Sequence, residues 1–173
     1  MSMFSAISTR DHKLMRRINQ WSAPQWVRLW MIWATRLGDG WLWSMMGLII
    51  WIFGGHDRYA ALGASGIASA AGTIFFMVIK RACGRSRPCA TEPHCWSSLL
   101  PPDRFSFPSG HTINAFAITT PMILFYPALT VGLLFCALSV AVSRIMLGLH
   151  FLSDVIAGCA IGVLIGYGAY CLF

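Results

Sequence analysis

Hydrophobic and polar positions are segregated along this chain into long blocks. Gly40–Gly55 (16 residues), Tyr59–Ile79 (21), Thr112–Ser143 (32) and Val155–Phe173 (19) contain no Asp, Glu, Lys, Arg or His. A membrane-spanning helix needs roughly 20 apolar residues, with a range of about 17–25. The 32-residue block is too long for one helix. A proline disfavours helix at the residue before it, so Tyr126 and Pro127 divide the block into Thr112–Phe125 and Pro127–Ser143. The pattern therefore predicts five spans. The first is short, and is expected to borrow from its flanks or to tilt against its neighbours. Small residues crowd the second span (Gly63, Ala64, Gly66, Ala68, Ser69, Ala70, Ala71, Gly72) and the fifth (Gly158, Gly162, Gly166, Gly168). Close packing of helices in lipid favours such residues.

The first 39 residues follow a different pattern. Arg10, Lys13 and Arg17 share one helical face, and Leu14, Ile18 and Trp21 another. After Pro24, Trp26, Trp30 and Trp33 recur at helical spacing, with Arg28 and Arg36 nearby. Indole rings and basic side chains are both favoured at the headgroup level, so residues 1–39 are expected to form one or two amphipathic interfacial helices. A short extra span over Trp26–Ala34 is bracketed too tightly by Arg28 and Arg36. The apolar core and small-residue site of a cleavable signal peptide are not found here.

Composition agrees with this division. Of the 173 residues 57% are hydrophobic and 11% charged, against about 25% charged in an ordinary soluble domain. The expected architecture is an all-α, polytopic membrane helical bundle over residues 40–173, preceded by the interfacial segment. With five spans, the N-terminal segment, the Lys80–His111 loop and the Arg144–Asp154 segment fall on one membrane face. The Gly54–Arg58 loop, the Tyr126 turn and Phe173 fall on the other.

The ionisable residues near the spans gather in three places, all on the first face. Lys80, Arg81, Arg85 and Arg87 end the second span; Phe107, Pro108, Ser109, Gly110 and His111 open the third; Ser143, Arg144, His150 and Asp154 join the fourth to the fifth. Charge at membrane depth costs roughly 2.5–3.5 kcal/mol per residue on insertion scales and marks function by default. Each group alone has an ordinary reading: a topology signal, a helix start, a hydrogen-bonded pair. Their convergence does not. Lys80, Arg87 and Arg144 offer cations, the guanidinium groups able to grip phosphate oxygens bidentately. Ser109 and Gly110 stand at a helix start, where backbone approaches closely and anions are attracted. His150 has Asp154 four residues on to hold its ring, and suits a nucleophile. His111 has no such partner in sequence and suits a proton donor to the leaving oxygen. Arg81 and Arg85 are further cations, expected to contact lipid headgroups.

Three spacings carry a family resemblance: Lys80, six residues, then Arg87-Pro88; Pro108-Ser109-Gly110-His111; and Ser143-Arg144, five residues, His150, three residues, Asp154. In this the chain resembles the type-2 phosphatidic acid phosphatase superfamily of integral membrane lipid phosphatases, and every spacing of the three-part signature is matched. The resemblance implies a five- or six-span bundle, a phosphohistidine intermediate, and neither metal nor other cofactor. It assigns phosphate binding to Lys80, Arg87, Ser109, Gly110 and Arg144, attack on phosphorus to His150, its orientation to Asp154, and protonation of the leaving group to His111. The superfamily's soluble acid phosphatases and haloperoxidases are disfavoured by the spans.

The expected activity is hydrolysis of a phosphate from a membrane lipid: undecaprenyl pyrophosphate, phosphatidate, phosphatidylglycerophosphate or a lipid A phosphate. The alternatives are a lipid-to-lipid phosphotransferase and a non-catalytic lipid-binding protein. The expected partners are that lipid and the bilayer; no nucleic acid is expected, and oligomeric state is open. Two signals bear on orientation. Twelve of the 13 Lys and Arg residues lie on the site's face and only Arg58 opposite, which by the positive-inside rule places the site in the cytoplasm. Cys89 and Cys95, however, flank a short polar turn in the catalytic loop, and a disulfide there suits an oxidising compartment. Most bacterial members of the family face the periplasm. The expectation is accordingly a Cys89–Cys95 disulfide, a free Cys83, and a periplasmic site on an inner-membrane protein.

Overall fold

The structure, a computed structural model, describes residues 3–91 and 104–173. The helices are α1 (Met3–Gln20), α2 (Gln25–Leu37), α3 (Trp41–Phe53), α4 (Arg58–Cys83), the single turn α5 (Pro88–Thr91), α6 (Gly110–Phe125), α7 (Thr130–Met146) and α8 (Leu152–Tyr170). Each expected span has its helix: α3, α4, α6, α7 and α8. Three helical stretches, Gly55–Cys83, Pro127–Met146 and Leu152–Tyr170, are long and apolar enough to cross a membrane. The other two are shorter. At 1.5 Å per residue α3 is about 20 Å long and α6 about 24 Å, against a hydrocarbon core of about 30 Å. The Tyr126-Pro127 break falls as expected, α6 ending at Phe125 and a 3-10 turn, Pro127–Leu129, leading into α7. Tyr126 Oη–H donates to the Gly54 carbonyl at 2.9 Å and ties the two turns of that end together.

The shortness of α6 reflects its place. It runs through the middle of the bundle, packed on α4, α7 and α8, and ten of its 16 residues, from Gly110 to Met122, are buried. The outer helices instead turn large apolar side chains outward, among them Ile52, Phe53, Ile74, Val131, Phe135 and Leu164. That is the surface a bilayer requires.

The α6–α8 contact is set by three glycines one turn apart. A methyl group at Gly158 would lie 3.0 Å from the Ser109 carbonyl oxygen; at Gly162, 2.6 Å from that of Ile113; at Gly166, 2.7 Å from that of Ala117. The backbones touch where these side chains are missing. Gly168, on another side of α8, has open space around it. On α4 the small residues Ala61, Ala64, Ser65, Ala68 and Gly72 form the buried face, with Ser65 Oγ–H donating to the Ile118 carbonyl of α6 at 3.4 Å.

The glycine stripe gives a direct test. Gly162→Ala should destabilise the protein in detergent by about 1–3 kcal/mol, the usual cost of overpacking. Gly168→Ala should be neutral or stabilise by up to about 1 kcal/mol, because alanine is the better helix former. Thermal unfolding of the two variants side by side decides it; equal melting temperatures would contradict the packing.

Candidate active site

Helix α4 delivers Lys80 and then stops. Gly84 takes a left-handed conformation (φ 59°) and its N–H donates to the Lys80 carbonyl. Residues 85–87 leave the helix extended and meet the segment preceding α6. Ser86 and Phe105 form an antiparallel bridge, Ser106 N–H donates to the Arg85 carbonyl at 2.7 Å, and Ser106 Oγ–H donates to that of Ser86 at 3.1 Å. This strap turns Arg87 inward, where it is 2% exposed. Its Nη1 donates to the Leu149 carbonyl at 2.7 Å and lies 3.1 Å from His150 Nε2.

Between α7 and α8 the chain folds back on itself. The Arg144 carbonyl accepts from both Leu149 and His150 N–H, each at 3.0 Å, and Gly148 supplies the positive φ of 66° that the turn needs. His150 is thereby buried at the mouth of the bundle. Its Nδ1 lies 2.6 Å from the Ser106 carbonyl. A carbonyl only accepts, so Nδ1 carries the proton and Nε2 presents its lone pair. Burial first, then the nearby Arg144, Arg87 and Lys80, hold the imidazole well below its usual pKa, the Ser106 carbonyl pulling weakly the other way. The ring is neutral at pH 7.

Asp154 stands behind His150, its Oδ2 3.8 Å from Nδ1. That oxygen accepts from Phe151 N–H at 2.8 Å, which caps the first turn of α8. Asp154 Oδ1 accepts from Arg85 at 2.7 Å. The direct partner of the His150 ring is therefore the Ser106 carbonyl, and Asp154 acts on it from one layer back.

Arg85 is not the headgroup contact expected of it. Its guanidinium bridges Asp154 and Asp11 of α1 (2.8 Å), donates to Ser153 Oγ at 2.7 Å and lies 4.2 Å from the centroid of the Phe151 ring. The buried carboxylates of Asp11 and Asp154 draw it inward more strongly than headgroups outside. Arg81 is exposed.

Lys80, Arg87, Gly110, His111, Arg144 and His150 line one cavity of about 180 Å³, together with Gly38, Asp39, Phe76 and Asn114. A water occupies about 30 Å³ of liquid, so the volume matches about six waters. Phosphate and the first atoms of an ester fit. Six of the eight residues expected at the site thus meet on one wall, brought from α4, the strap, α6, α7 and the α7–α8 turn. Ser109 and Asp154 stand behind it. Ser109 is the N-cap of α6; its N–H donates to the Asp154 carbonyl at 3.3 Å, and its Oγ accepts from Thr112 at 2.9 Å. Arg144 is aimed by α2, its Nη1 donating to Thr35 Oγ1 at 2.6 Å. Lys80 Nζ sits 5.6 Å from the Phe76 ring centroid.

His111, with no carboxylate near it in sequence, has one in space: its Nε2 is 2.5 Å from Asp39 Oδ1 in the turn between α2 and α3. The signal for Asp39 is its setting, a carboxylate between Gly38 and Gly40, at the edge of the segment expected beside the site. Asp11 and Thr35 carry no comparable signal; α1 and α2 read as basic, tryptophan-bearing interfacial helices. Their tryptophans Trp26 and Trp33 are indeed exposed, while Asp11 and Thr35 face inward. Cys83 is an exposed free thiol, and Cys89 forms no disulfide with a described cysteine. Cys95, its expected partner, lies outside the described residues.

Comparison with known proteins follows the same lines. Residues 59–173 match the family model of the PAP2 superfamily. A lipid A 1-phosphatase of Rhizobium etli is 37% identical over 89 residues, 49% of this chain and 38% of that protein. Undecaprenyl-diphosphatase BcrC of Bacillus subtilis is 29% identical over 125 residues, 72% of this chain and 64% of the relative. The chain therefore spans between about a third and two thirds of these relatives. Among solved structures, Aquifex aeolicus LpxE superposes with a TM-score of 0.75 at 26% identity, covering 91% of this chain and 92% of that one. The transmembrane PAP2-type phosphatidylglycerolphosphate phosphatase of Bacillus subtilis superposes at 0.72 and 23% identity, covering 96% and 86%. With its apolar helices and these neighbours the protein is a multi-pass membrane protein. Three motifs converging on one cavity, and a family model matched by residues 59–173, about two thirds of this chain, establish that the chain belongs to the PAP2 superfamily.

Proposed function

We propose that the protein is a membrane lipid phosphatase that hydrolyses a phosphate mono- or diphosphate ester through a phosphohistidine at His150. The observation that carries this reading is the His150 ring: Nδ1 is pinned to the Ser106 carbonyl, Nε2 lies 3.1 Å from Arg87 Nη1, and Lys80 and Arg144 line the same cavity.

The lipid phosphate enters between Lys80, Arg87 and Arg144, with the N–H groups at the start of α6 behind it. Its oxygens compete for the Arg87 Nη1 proton now aimed at Nε2, which frees that lone pair. Nε2 attacks phosphorus, the P–N bond forms and the bond to the lipid oxygen breaks. That oxygen takes a proton from His111. Water then gives a proton back to His111 and attacks phosphorus, the P–N bond breaks, and phosphate and free His150 are restored. The cations stabilise charge on the transferring group throughout. Asp154 and Arg85 keep the His150 turn and the strap in register. The relatives named as acting on lipid A, undecaprenyl diphosphate and phosphatidylglycerophosphate mark the substrate class. The five-span topology, the inner-membrane location, the periplasmic site and the Cys89–Cys95 disulfide belong to the same proposal.

The experiment is phosphate release from a panel of these lipids in detergent, with rapid quench of labelled substrate. Wild type should release free phosphate and trap an acid-labile, alkali-stable phosphoenzyme, and His150→Ala should do neither. Label elsewhere, activity within tenfold of wild type in the variant, or transfer to lipid without release would overturn it.

The neutral His150 sets a pH dependence. Protonating Nε2 removes the nucleophile, and its pKa in the free protein lies below the usual value of 6.5. The acid limb of kcat/KM, which reports the free enzyme, should therefore fall below pH 6.5 once the substrate's own ionisation is subtracted. A limb at or above that value would count against the assignment.

Since the cradle supplies its own positive charge, turnover should survive EDTA, and vanadate should inhibit by occupying the cradle. Loss of activity with EDTA and recovery with magnesium or zinc would refute this.

A further inference from the structure

The phosphate cavity contains one feature that works against binding phosphate. Asp39 lines it beside Lys80, Arg87 and Arg144, and is the one acidic residue among its described lining residues. A carboxylate there repels the incoming phosphate, so the geometry at Asp39 calls for another role.

The chain around Asp39 is built to hold it in place. Gly38 lies against α7, where a methyl group would come within 2.9 Å of Val140. Gly40 adopts φ 134°, a conformation side chains rarely take. Asp39 N–H donates to the Arg36 carbonyl at 3.1 Å, and the side chain ends 2.5 Å from His111 Nε2. The carboxylate itself is 58% exposed and the His111 side chain 24%, and both residues line the cavity.

The charged and titratable groups facing His111 come from every side. Lys80 arrives from α4, Arg87 from the strap, Arg144 from α7, and His150 from the α7–α8 turn. Each cation disfavours a proton on His111, and Asp39 alone among these groups favours one. Asp39 thus opposes part of what burial and the cations do to the ring.

We propose that Asp39 is the positioning residue of the proton donor: its carboxylate accepts the Nε2–H of His111, leaves Nδ1 to serve the leaving oxygen, and offsets part of the opposition that the cations set against the donated proton. On cleavage the Nδ1 proton passes to the lipid oxygen while Nε2–H keeps its hydrogen bond to Asp39. In the second half the Nδ1 lone pair accepts the proton of the attacking water, and the imidazolium is restored. The arrangement mirrors His150, where the Ser106 carbonyl fixes Nδ1 and frees Nε2. The two rings are thereby set to opposite tasks. This inference rests on the phosphatase reading.

The test compares Asp39→Asn, Asp39→Glu and wild type on two substrates, a lipid phosphate with an alkyl leaving oxygen and p-nitrophenyl phosphate, whose leaving group needs no proton. A general acid contributes typically 10²–10⁴-fold, so in the rate of phosphoenzyme formation, read by rapid quench, Asp39→Asn should lose about 10- to 100-fold on the lipid and less than about threefold on the aryl ester. Its basic pH limb should move to lower pH, and Asp39→Glu should recover part of the lipid rate. Inhibition by inorganic phosphate should be unchanged or stronger, since a repelling charge is gone. Equal losses on both substrates, weaker phosphate inhibition, or a lipid rate within about twofold of wild type would overturn the proposal, as would a faster variant. A readout without turnover separates this outcome from failure of the phosphatase reading. Followed by NMR in the resting protein, the His111 ring should titrate at lower pH in Asp39→Asn than in wild type; an unmoved titration removes Asp39 from the role whether or not any lipid is hydrolysed.

Discussion

The close approach of α6 to α8 governs the rest of the molecule. Both helices start at the same end of the bundle, α6 at Gly110 and α8 at Leu152. Because Gly158, Gly162 and Gly166 leave no side chain between them, the two starts lie side by side. The Ser109 N–H to Asp154 carbonyl bond joins them directly. Two N-termini in parallel bring together the positive ends of two helix dipoles, and they place His111 and His150 on one cavity. The remaining helices supply what this pair lacks: α4 carries Lys80 in its last turn and α7 carries Arg144.

Burying that many charges is expensive unless each is paired and hydrogen-bonded, and the site meets the cost with hydrogen bonds to neighbouring groups. Arg87 donates to a backbone carbonyl and Arg144 to a threonine hydroxyl. Both of these acceptors are neutral groups. Arg85 is treated in the opposite way. Held by Asp11 and Asp154, it is neutralised internally and braces the strap against the start of α8. Two arginines two residues apart thus divide the work, one facing the ligand and one the scaffold. The left-handed turn at Gly84 and the extended strap after it fix their different directions.

The N-terminal helices are more than an anchor. Trp26 and Trp33 remain exposed, as interfacial indoles should, and the opposite face of α2 buries Met31, Ala34 and Thr35. Met31 packs with Leu147 and Leu149 beneath the His150 turn. Asp11, Thr35 and Asp39 each reach a residue of the three motifs or the arginine that supports them. The segment that sequence separates from the catalytic domain is thus the one that orients its charges.

Sequence by itself determined the class of the protein. Charge-free blocks predict apolar helices whatever their arrangement, because backbone in lipid must satisfy its own hydrogen bonds. The break at Tyr126-Pro127 is a local steric fact. The three motifs could be placed on one side by counting spans, and their phosphate chemistry read from residue type. Tertiary structure decided which group touches which. His150 and Asp154, four apart, read as a direct pair, yet the strap brings the Ser106 carbonyl to Nδ1 first. Arg85 looked like a surface cation because its anions lie 69 and 74 residues away. Asp39 is 72 residues from His111, and no periodicity connects them. Helical spacing reports on neighbours within about one turn; partners that meet at helix ends are chosen by how the helices pack, and here that choice belongs to three glycines on α8.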